Sequence, residues 1–549
     1  MKIGLINDLP MLESLNYLFS AFEEIRHRHE TFYRPPEYLH ASKIRRREMT
    51  KDLILESDII VGTMDETFLE TREQVGKHIP YLWFPFGSVT RGFPDLRKPI
   101  KYFKSTDIIV CHCDAEVEIT KKFFTNAQLR YVPFVYDDSI FYPMDERARQ
   151  TAKADLGFTE DQKILLYVGR ITIEKNLDTL FRIFSVVQKL VPDVHLVIAG
   201  RTMENPFIEF GVFPINLRNT LTKLYKNLEV PDEKVHFLGS KDPDELRTLY
   251  NVADVVVNLT LNHDENFGLA QVEAMGCGTP VVGTNWGGLK DTIRNGETGY
   301  KVSTYASGAL GIKVDWWEAL SRIVSLLNLS PAERLNLRRT SRDSVYERFS
   351  FDPYCRAMES VLEDGLALRD KQSEPLELSP FGREFFQECV PMLGAMPSYK
   401  RTQRSYQLYQ EMITPYTGSC WESNGTGSRL SAGQWLCLAK PVRINDDSTV
   451  SIDDLISPLT IDVPAVHRET VFATLDAMHE ESLIKVDRLT SVYLSGGRVL
   501  DSLLWMLDAG LILKTMKTDL SHESVGTKMS TPLLSIQRAN PFADALIFG

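Results

Sequence analysis

The sequence predicts two tandem α/β units, each a parallel sheet covered by helices, followed by a third unit of mixed α/β texture. Three observations carry this. Short apolar runs alternate with helix-like segments through the first 140 residues; the alternation then restarts; and a charged, proline-containing break at Arg369 to Pro380 precedes a stretch of different character. Length agrees, since 549 residues exceed one core and roughly 150 residues per domain gives three or four units.

In the first unit the apolar runs are Ile3 to Ile6, Asp58 to Gly62, Tyr81 to Phe84, Asp107 to Cys111 and Arg130 to Phe134. In the second they are Lys163 to Val168, His195 to Ala199, Lys234 to Leu238, Asp254 to Asn258 and Pro280 to Gly283, each followed by helical or turn sequence. Tyr142 to Asp155, polar and charged with one proline, suits a hinge between them. Beyond the break, Tyr399 to Ile413 reads as a helix stopping before Pro415, and Glu422 to Gly433 as a loop rich in Gly and Ser. An echo follows at an offset of 28 residues: Val471, Phe472, Leu475, Met478, Leu483 and Ile484 match Val499, Leu500, Leu503, Met506, Leu511 and Ile512. Each copy is an amphipathic helix leading into a short apolar strand, which fits either a winged-helix-like unit or two unrelated core helices.

Composition narrows the class. A hydrophobic share of 43%, a charged share of 25% and an aromatic share of 10% are ordinary for soluble globular chains. A net charge of -12 disfavours general nucleic-acid binding, and Lys440 to Gly549 carries ten Lys/Arg against fifteen Asp/Glu, so that unit is expected to contact protein instead. Met1 runs straight into an apolar strand and then Asn7 and Asp8, without the pattern of a secretion leader. The stretch nearest to a membrane span, Leu503 to Leu513, is short and contains Asp508. Seven scattered cysteines fit a reducing compartment, so the expected location is cytoplasmic. Cys111 and Cys113 flank His112 on a predicted strand, but no second ligand pair lies nearby, and free Cys is commonly a small core residue.

The chemistry concentrates between Asp264 and Val282. Asp254 to Asn258 is a buried strand, Leu259 to Asp264 leaves it as a loop, and Phe267 to Met275 has helical spacing with Gly276 as a stop. The backbone amides of Asn266, Phe267, Gly268 and Leu269 therefore sit at a helix N-terminus, where unpaired N–H groups and the positive end of the dipole attract phosphate. Glu265 and Glu273 bracket this site, and an ionised carboxylate accepts hydrogen bonds from both hydroxyls of a diol. An anionic ligand also calls for cations. Val168-Gly169-Arg170 and Glu174-Lys175-Asn176 place Arg170 and Lys175 beyond the carboxyl end of a strand, where open α/β sheets bind ligands.

Five ordered motifs together resemble the retaining glycosyltransferase family 4: Tyr167 to Arg170 with Glu174 to Asn176, Ile198 to Gly200, Phe237 to Gly239, Glu265 to Gly268, and Glu273 to Val282, continued by Gly296 to Tyr300. The resemblance covers about Val132 to Val361. It implies the GT-B fold, two Rossmann-like domains facing a central cleft, with residues 1–142 as acceptor domain and 143–348 as donor domain. It also implies a helix at 349–368 crossing back to the first domain; a linker at 369–384 and an accessory unit at 385–549, for a protein partner or self-association, complete the expected organisation. Arg170 and Lys175 are implied to neutralise the departing diphosphate in place of a metal, Glu273 to hold the ribose, and Glu265 to contact the transferred sugar. The amides of Asn266 to Leu269 are implied to bind sugar and phosphate, with Gly169, Gly200 and Arg201 lining the nucleotide cleft and Leu238 and Ser240 beside the base. The implied reaction moves a hexose from a nucleotide diphosphate sugar to a small-molecule, glycan or peptide acceptor, with no cofactor and no metal. The alternative is a non-catalytic sugar-nucleotide-binding scaffold.

The first unit departs from that pattern. It runs Leu5-Ile6-Asn7-Asp8-Leu9-Pro10 where the family has a Gly-Gly loop, and Trp83-Phe84-Pro85-Phe86-Gly87 offers Phe86 where the family commonly has His. The aromatic run reads as a buried strand end or a sugar-stacking platform. Arg26, Arg28, Lys43, Arg45, Arg46 and Arg47 form a basic region, either a solvated helix face or a grip for a phosphorylated or lipid-linked acceptor, with peripheral membrane contact at most.

Overall fold

The computed structural model describes residues 1–6, 29–33, 38, 41–85, 99–202, 216–262, 265–307, 311–389, 403–418, 420–421, most of 430–515, and 536–538. Asn7 to Pro10, Arg26, Arg28, Phe86, Gly87, Asp264 and most of the Gly- and Ser-rich loop lie outside the described residues.

Six parallel strands form the first sheet, in the order β2 (Glu30–Tyr33), β1 (Lys2–Ile6), β3 (Ile59–Gly62), β4 (Tyr81–Trp83), β5 (Ile108–Cys111), β6 (Gln128–Tyr131). The second sheet repeats the plan: β12 (Gly299–Val302), β11 (Val281–Thr284), β10 (Val255–Asn258), β7 (Lys163–Val168), β8 (Val194–Ala199), β9 (Val235–Gly239), again all parallel. The apolar runs without alternation follow from helices covering both faces of each sheet. This is the GT-B architecture, two Rossmann-like units.

Local rules place the helices. Asp242 and Glu245 close a capping box before the helix Pro243–Val252, and Ser330 and Glu333 close another before Pro331–Phe349. Tyr142 to Asp155, read as a hinge, includes the helix Glu146–Asp155, capped by Asp145. After Ser350 the chain turns into the helix Phe351–Leu368, whose Tyr354, Met358, Val361 and Leu362 pack against Ile3, Leu5, Ile59 and Leu82 of the first sheet. The chain thus returns to the unit in which it began.

The expected linker at 369–384 is not a free tether. Ser105 N–H donates to the Glu374 carbonyl (2.7 Å), Leu376 N–H to the Phe103 carbonyl (2.9 Å) and Ser379 N–H to the Phe123 carbonyl (2.8 Å), so the segment lies as a seam along the first unit. The helix Pro380–Glu388 follows at once, with Phe385 fully buried edge-on to Phe123. The charges and prolines of the segment suggest a solvated tether, but its backbone pairs along the first unit and Leu376 and Leu378 pack against that unit's core.

Nor is 385–549 detached. From the helix Gln403–Ile413, Leu408 and Met412 enter the core of the first unit together with Tyr416. Next, β15 (Cys420–Trp421) pairs in parallel with β13 (Thr304–Ser307), itself antiparallel to β14 (Gly311–Val314). The remainder centres on β16 (Trp435–Leu438), flanked by antiparallel β20 (Ile484–Lys485) and β21 (Ile512–Thr515). The two echo segments are the helix Arg468–Glu480 leading to β20 and the helix Val499–Asp508 leading to β21, one on each edge of β16. A further sheet orders β19 (Leu459–Asp462), β18 (Thr449–Ile452), β17 (Val442–Ile444) and β22 (Ile536–Arg538). Leu436 and Leu438 face the echo helices, whereas Cys437 joins the core of the second unit with Leu513. The apolar run Trp435 to Leu438 is therefore buried on both faces. No helix among the described residues is long and apolar enough to cross a membrane.

Candidate active site

The carboxyl edge of the second sheet builds the site. Gly169 follows β7, Gly200 follows β8, and Gly239 ends β9; Gly169 N–H donates to the Ala199 carbonyl (3.0 Å) and Gly200 N–H to the Gly239 carbonyl (2.7 Å). A Cβ on Gly200 would lie 1.8 Å from the Gly169 carbonyl oxygen, and its φ is +148°, so only glycine permits this approach. Arg170, Arg201 and Ser240 are exposed along this edge, with Leu238 half-buried. The Tyr167 hydroxyl, fully buried and held well above its ordinary pKa by burial and then by the nearby Glu265 and Glu174 carboxylates, donates to the Arg170 carbonyl (2.7 Å).

Lys175 and Glu265 meet directly. Lys175 closes the short turn Ile173–Lys175, and its Nζ donates to Glu265 Oε2 at 2.5 Å, with both side chains 14% exposed. Asn176, left-handed at φ 52°, ends the turn and its Nδ2 donates to the Leu259 carbonyl (2.8 Å), while the Glu174 carbonyl accepts from Leu261 N–H (3.2 Å). These bonds tie the cation-bearing turn to the loop leaving β10. The helix Leu269–Gly276 then starts with Gly268 as its N-cap at φ +81°. Phe267, beside it, is buried edge-on to Phe134 and Phe349.

Glu273 lies deeper. It is 5% exposed and its Oε2 accepts from the Tyr250 hydroxyl (2.9 Å). Sequence reasoning missed Tyr250, which looks like any aromatic on the buried face of an amphipathic helix.

It also missed the first unit's contribution. The helix Asp114–Phe123 follows β5, and its Glu116, 1% exposed, accepts from His112 N–H (2.6 Å) and from Asn266 Nδ2 (3.1 Å). At the same helix start, Asp114 N–H donates to Asp291 Oδ2 (2.8 Å); burial raises the Asp291 carboxyl to about 6. The signal available was an acidic residue in the first turn of a helix at a strand's carboxyl end. His112 is buried, neutral with a pKa lowered to about 4 by burial, stacked on Phe134 and bonded through Nδ1 to the Val132 carbonyl (2.8 Å). Among the described residues no group of three or more His, Cys, Asp or Glu is arranged to hold a metal. Trp83 and Phe84 are a buried strand end. In the basic region Arg45 pairs with Glu48 one turn along its own helix (3.1 Å), and Arg47 reaches across to Glu70 of the helix Glu66–Val75 (2.9 Å).

A paired-sheet fold with a cation-bearing turn and a helix start on one carboxyl edge defines the class, a GT-B protein. Residues 148–328 match the model of the family described as glycosyl transferases group 1. It is 26% identical over 282 residues to the N-acetyl-alpha-D-glucosaminyl L-malate synthase of Bacillus anthracis, covering 51% of this chain and 65% of that one. It is 38% identical over 173 residues to the D-inositol 3-phosphate glycosyltransferase of Mycolicibacterium gilvum, covering 32% of this chain and 35% of that one. The chain thus spans roughly a third to two thirds of the length of these curated relatives. Among solved structures, a glycosyltransferase from Rickettsia africae superposes with a TM-score of 0.50 at 15% identity, covering 68% of this chain and 99% of that one. Anabaena Alr3699/HepE in complex with UDP does so with 0.50 at 14% identity, covering 66% and 99%.

Proposed function

We propose that this chain is a retaining, metal-independent glycosyltransferase that moves a hexose from a nucleotide diphosphate sugar to an acceptor. The observation that carries the reading is the Lys175–Glu265 pair at the head of the helix Leu269–Gly276, on the carboxyl edge of the second sheet. Names of the curated relatives point the same way.

In this reading the diphosphate lies against the amides of Asn266 to Leu269 and beside Arg170 and Lys175. The charge that grows on the leaving oxygen is then met by two cations and a helix N-terminus. Glu265, held by Lys175, faces the sugar. The buried Glu273, oriented by Tyr250, takes the ribose hydroxyls; Gly169, Gly200, Arg201, Leu238 and Ser240 border the nucleotide. The acceptor hydroxyl attacks on the face from which the diphosphate departs, the anomeric C–O bond to phosphate breaks, and the hydroxyl proton passes to a departing phosphate oxygen. Retention follows from that shared face. Glu116 fixes Asn266 from the acceptor side.

The test is turnover of labelled UDP-, GDP- and ADP-glucose, with the anomeric product read by NMR. Release of an α-linked glucosyl product supports the reading. Absence of both turnover and nucleotide binding across the three donors overturns it.

A further inference from the structure

The residues that back the Glu265–Leu269 loop come from two places far apart in the chain. Gly287 and Gly288 lie directly on the loop: Gly288 N–H donates to the Glu265 carbonyl (2.8 Å), a Cβ on Gly287 would be 2.3 Å from that oxygen, and one on Gly288 would be 2.1 Å from the Asn266 carbonyl carbon. Side chains are excluded there, so the position of the glycine turn is transmitted to the loop without slack.

On its outer side the glycine turn rests on the C-terminal extension. Gly287 N–H donates to the Tyr416 carbonyl (2.8 Å), and the Tyr416 ring stacks on Trp286 at 5.6 Å between centroids and 21° between planes. Trp286 in turn donates through Nε1 to the Asn262 carbonyl (2.8 Å), in the loop that leads to Glu265. Two further bonds fasten the segment: Gly418 N–H to the Asn285 carbonyl (2.9 Å) and Lys290 Nζ to the Pro415 carbonyl (2.7 Å). Tyr416 is fully buried and stands well beyond residue 328, where the match to the family model ends.

We propose that Tyr416 is a positioning residue for the Glu265–Leu269 loop, acting through Trp286 and the Gly287–Gly288 turn, so that the C-terminal extension sets the turnover of the donor site. This rests on the glycosyltransferase reading above. The amides of this loop also meet the diphosphate, so nucleotide affinity shifts with the loop, but less than turnover does, because Arg170, Arg201 and the strand ends that border the nucleotide do not lean on the buttress.

The experiment uses the full chain and whichever of the UDP, GDP or ADP donors the parent turns over, with melting temperature measured throughout. Tyr416→Ala is expected to lower kcat about tenfold while the Kd for the nucleoside diphosphate changes less than about threefold. Tyr416→Phe, which keeps the ring and the carbonyl, is expected to restore kcat. Phe385→Ala, a truncation in the same core that leaves the glycine turn alone, is expected to lower the melting temperature without lowering kcat. Gly418→Ala gives a second route if Tyr416→Ala does not fold, since its Cβ would lie 2.1 Å from Asn285 Oδ1 and push the segment outward; the same fall in kcat is expected. Parental kcat in Tyr416→Ala or Gly418→Ala, an equal loss in Tyr416→Phe, or an equal loss in Phe385→Ala overturns the proposal alone. A parent that neither binds nor turns over any of the three donors overturns the function on which it rests.

Discussion

At the scale of single residues, the two carboxylates of the site differ in environment, and so should their variants. Glu273 is buried and bonded to a neutral tyrosine hydroxyl, so Glu273→Gln removes charge where a diol would be held. Nucleotide affinity measured by calorimetry is expected to weaken by roughly 1 to 2 kcal/mol. Glu265 is engaged by Lys175 instead, and Glu265→Gln is expected to lower kcat more than it weakens nucleotide binding, because its proposed contact is with the sugar whose charge develops during transfer. If the two profiles were reversed, the proposed roles would be exchanged. Arg170→Ala and Lys175→Ala should depress both quantities, since a diphosphate is anionic before and during departure. Turnover in EDTA at the parental rate is expected, with these two cations and the helix end in place of a metal; loss in chelator restored by magnesium or manganese would count against that part of the reading.

At the scale of elements, the helix Trp316–Leu327 shows how the extension is bonded to the donor unit. Its N-cap, Asp315, accepts from Glu318 N–H (3.0 Å) and from the Thr515 hydroxyl of β21 (2.9 Å), while Trp316 Nε1 donates to the Leu438 carbonyl of β16 (2.9 Å). Burial raises the Asp315 carboxyl from 3.8 to about 7. A folded pKa above the unfolded one means that the folded state binds the extra proton. The associated stability is present below about pH 4 and is lost as pH rises toward 7. Asp315→Asn keeps an acceptor for the cap but cannot ionise. Its melting temperature relative to the parent is therefore expected to rise between pH 4 and pH 7 and to level off above. A difference that stays flat across that interval would show that Asp315 titrates near its unfolded value.

At the scale of the whole molecule, the extension and the two Rossmann-like units share cores. Ending the chain near Pro380 would strip Phe385, Leu408, Met412 and Tyr416 from the first core and Cys437, Ala439, Leu483 and Leu513 from the second. Deleting a buried Leu or Phe side chain costs on the order of 2 to 5 kcal/mol even where the surroundings relax. The truncated chain is thus expected to lose solubility or to melt far below the parent, as differential scanning fluorimetry would read. A truncated chain that melts like the parent and binds nucleotide would mean that these contacts add little.

By itself the sequence determined the two α/β units and a loop after Asp254 to Asn258 that enters a helix, with the start read at Phe267, two residues before the observed Leu269. These are local: apolar runs without alternation mark strands covered on both faces, and glycines and acidic residues at strand ends mark the carboxyl edge. Tertiary structure alone decided the rest. Nothing near Glu116 in the chain announces that it will accept from Asn266, 150 residues away, and Tyr250 differs from a core aromatic only in what its hydroxyl meets. Residues 369–384 read as a linker from their charges and prolines, yet their backbone pairs along the first unit and Leu376 and Leu378 pack against its core, because backbone hydrogen bonding is independent of side-chain polarity and two isolated leucines carry no periodic signal. Tyr416 reaches the glycine turn behind the donor loop only because the helix before it is packed onto the first unit while β15 is paired in the second, and a contact made by that long return has no local signature.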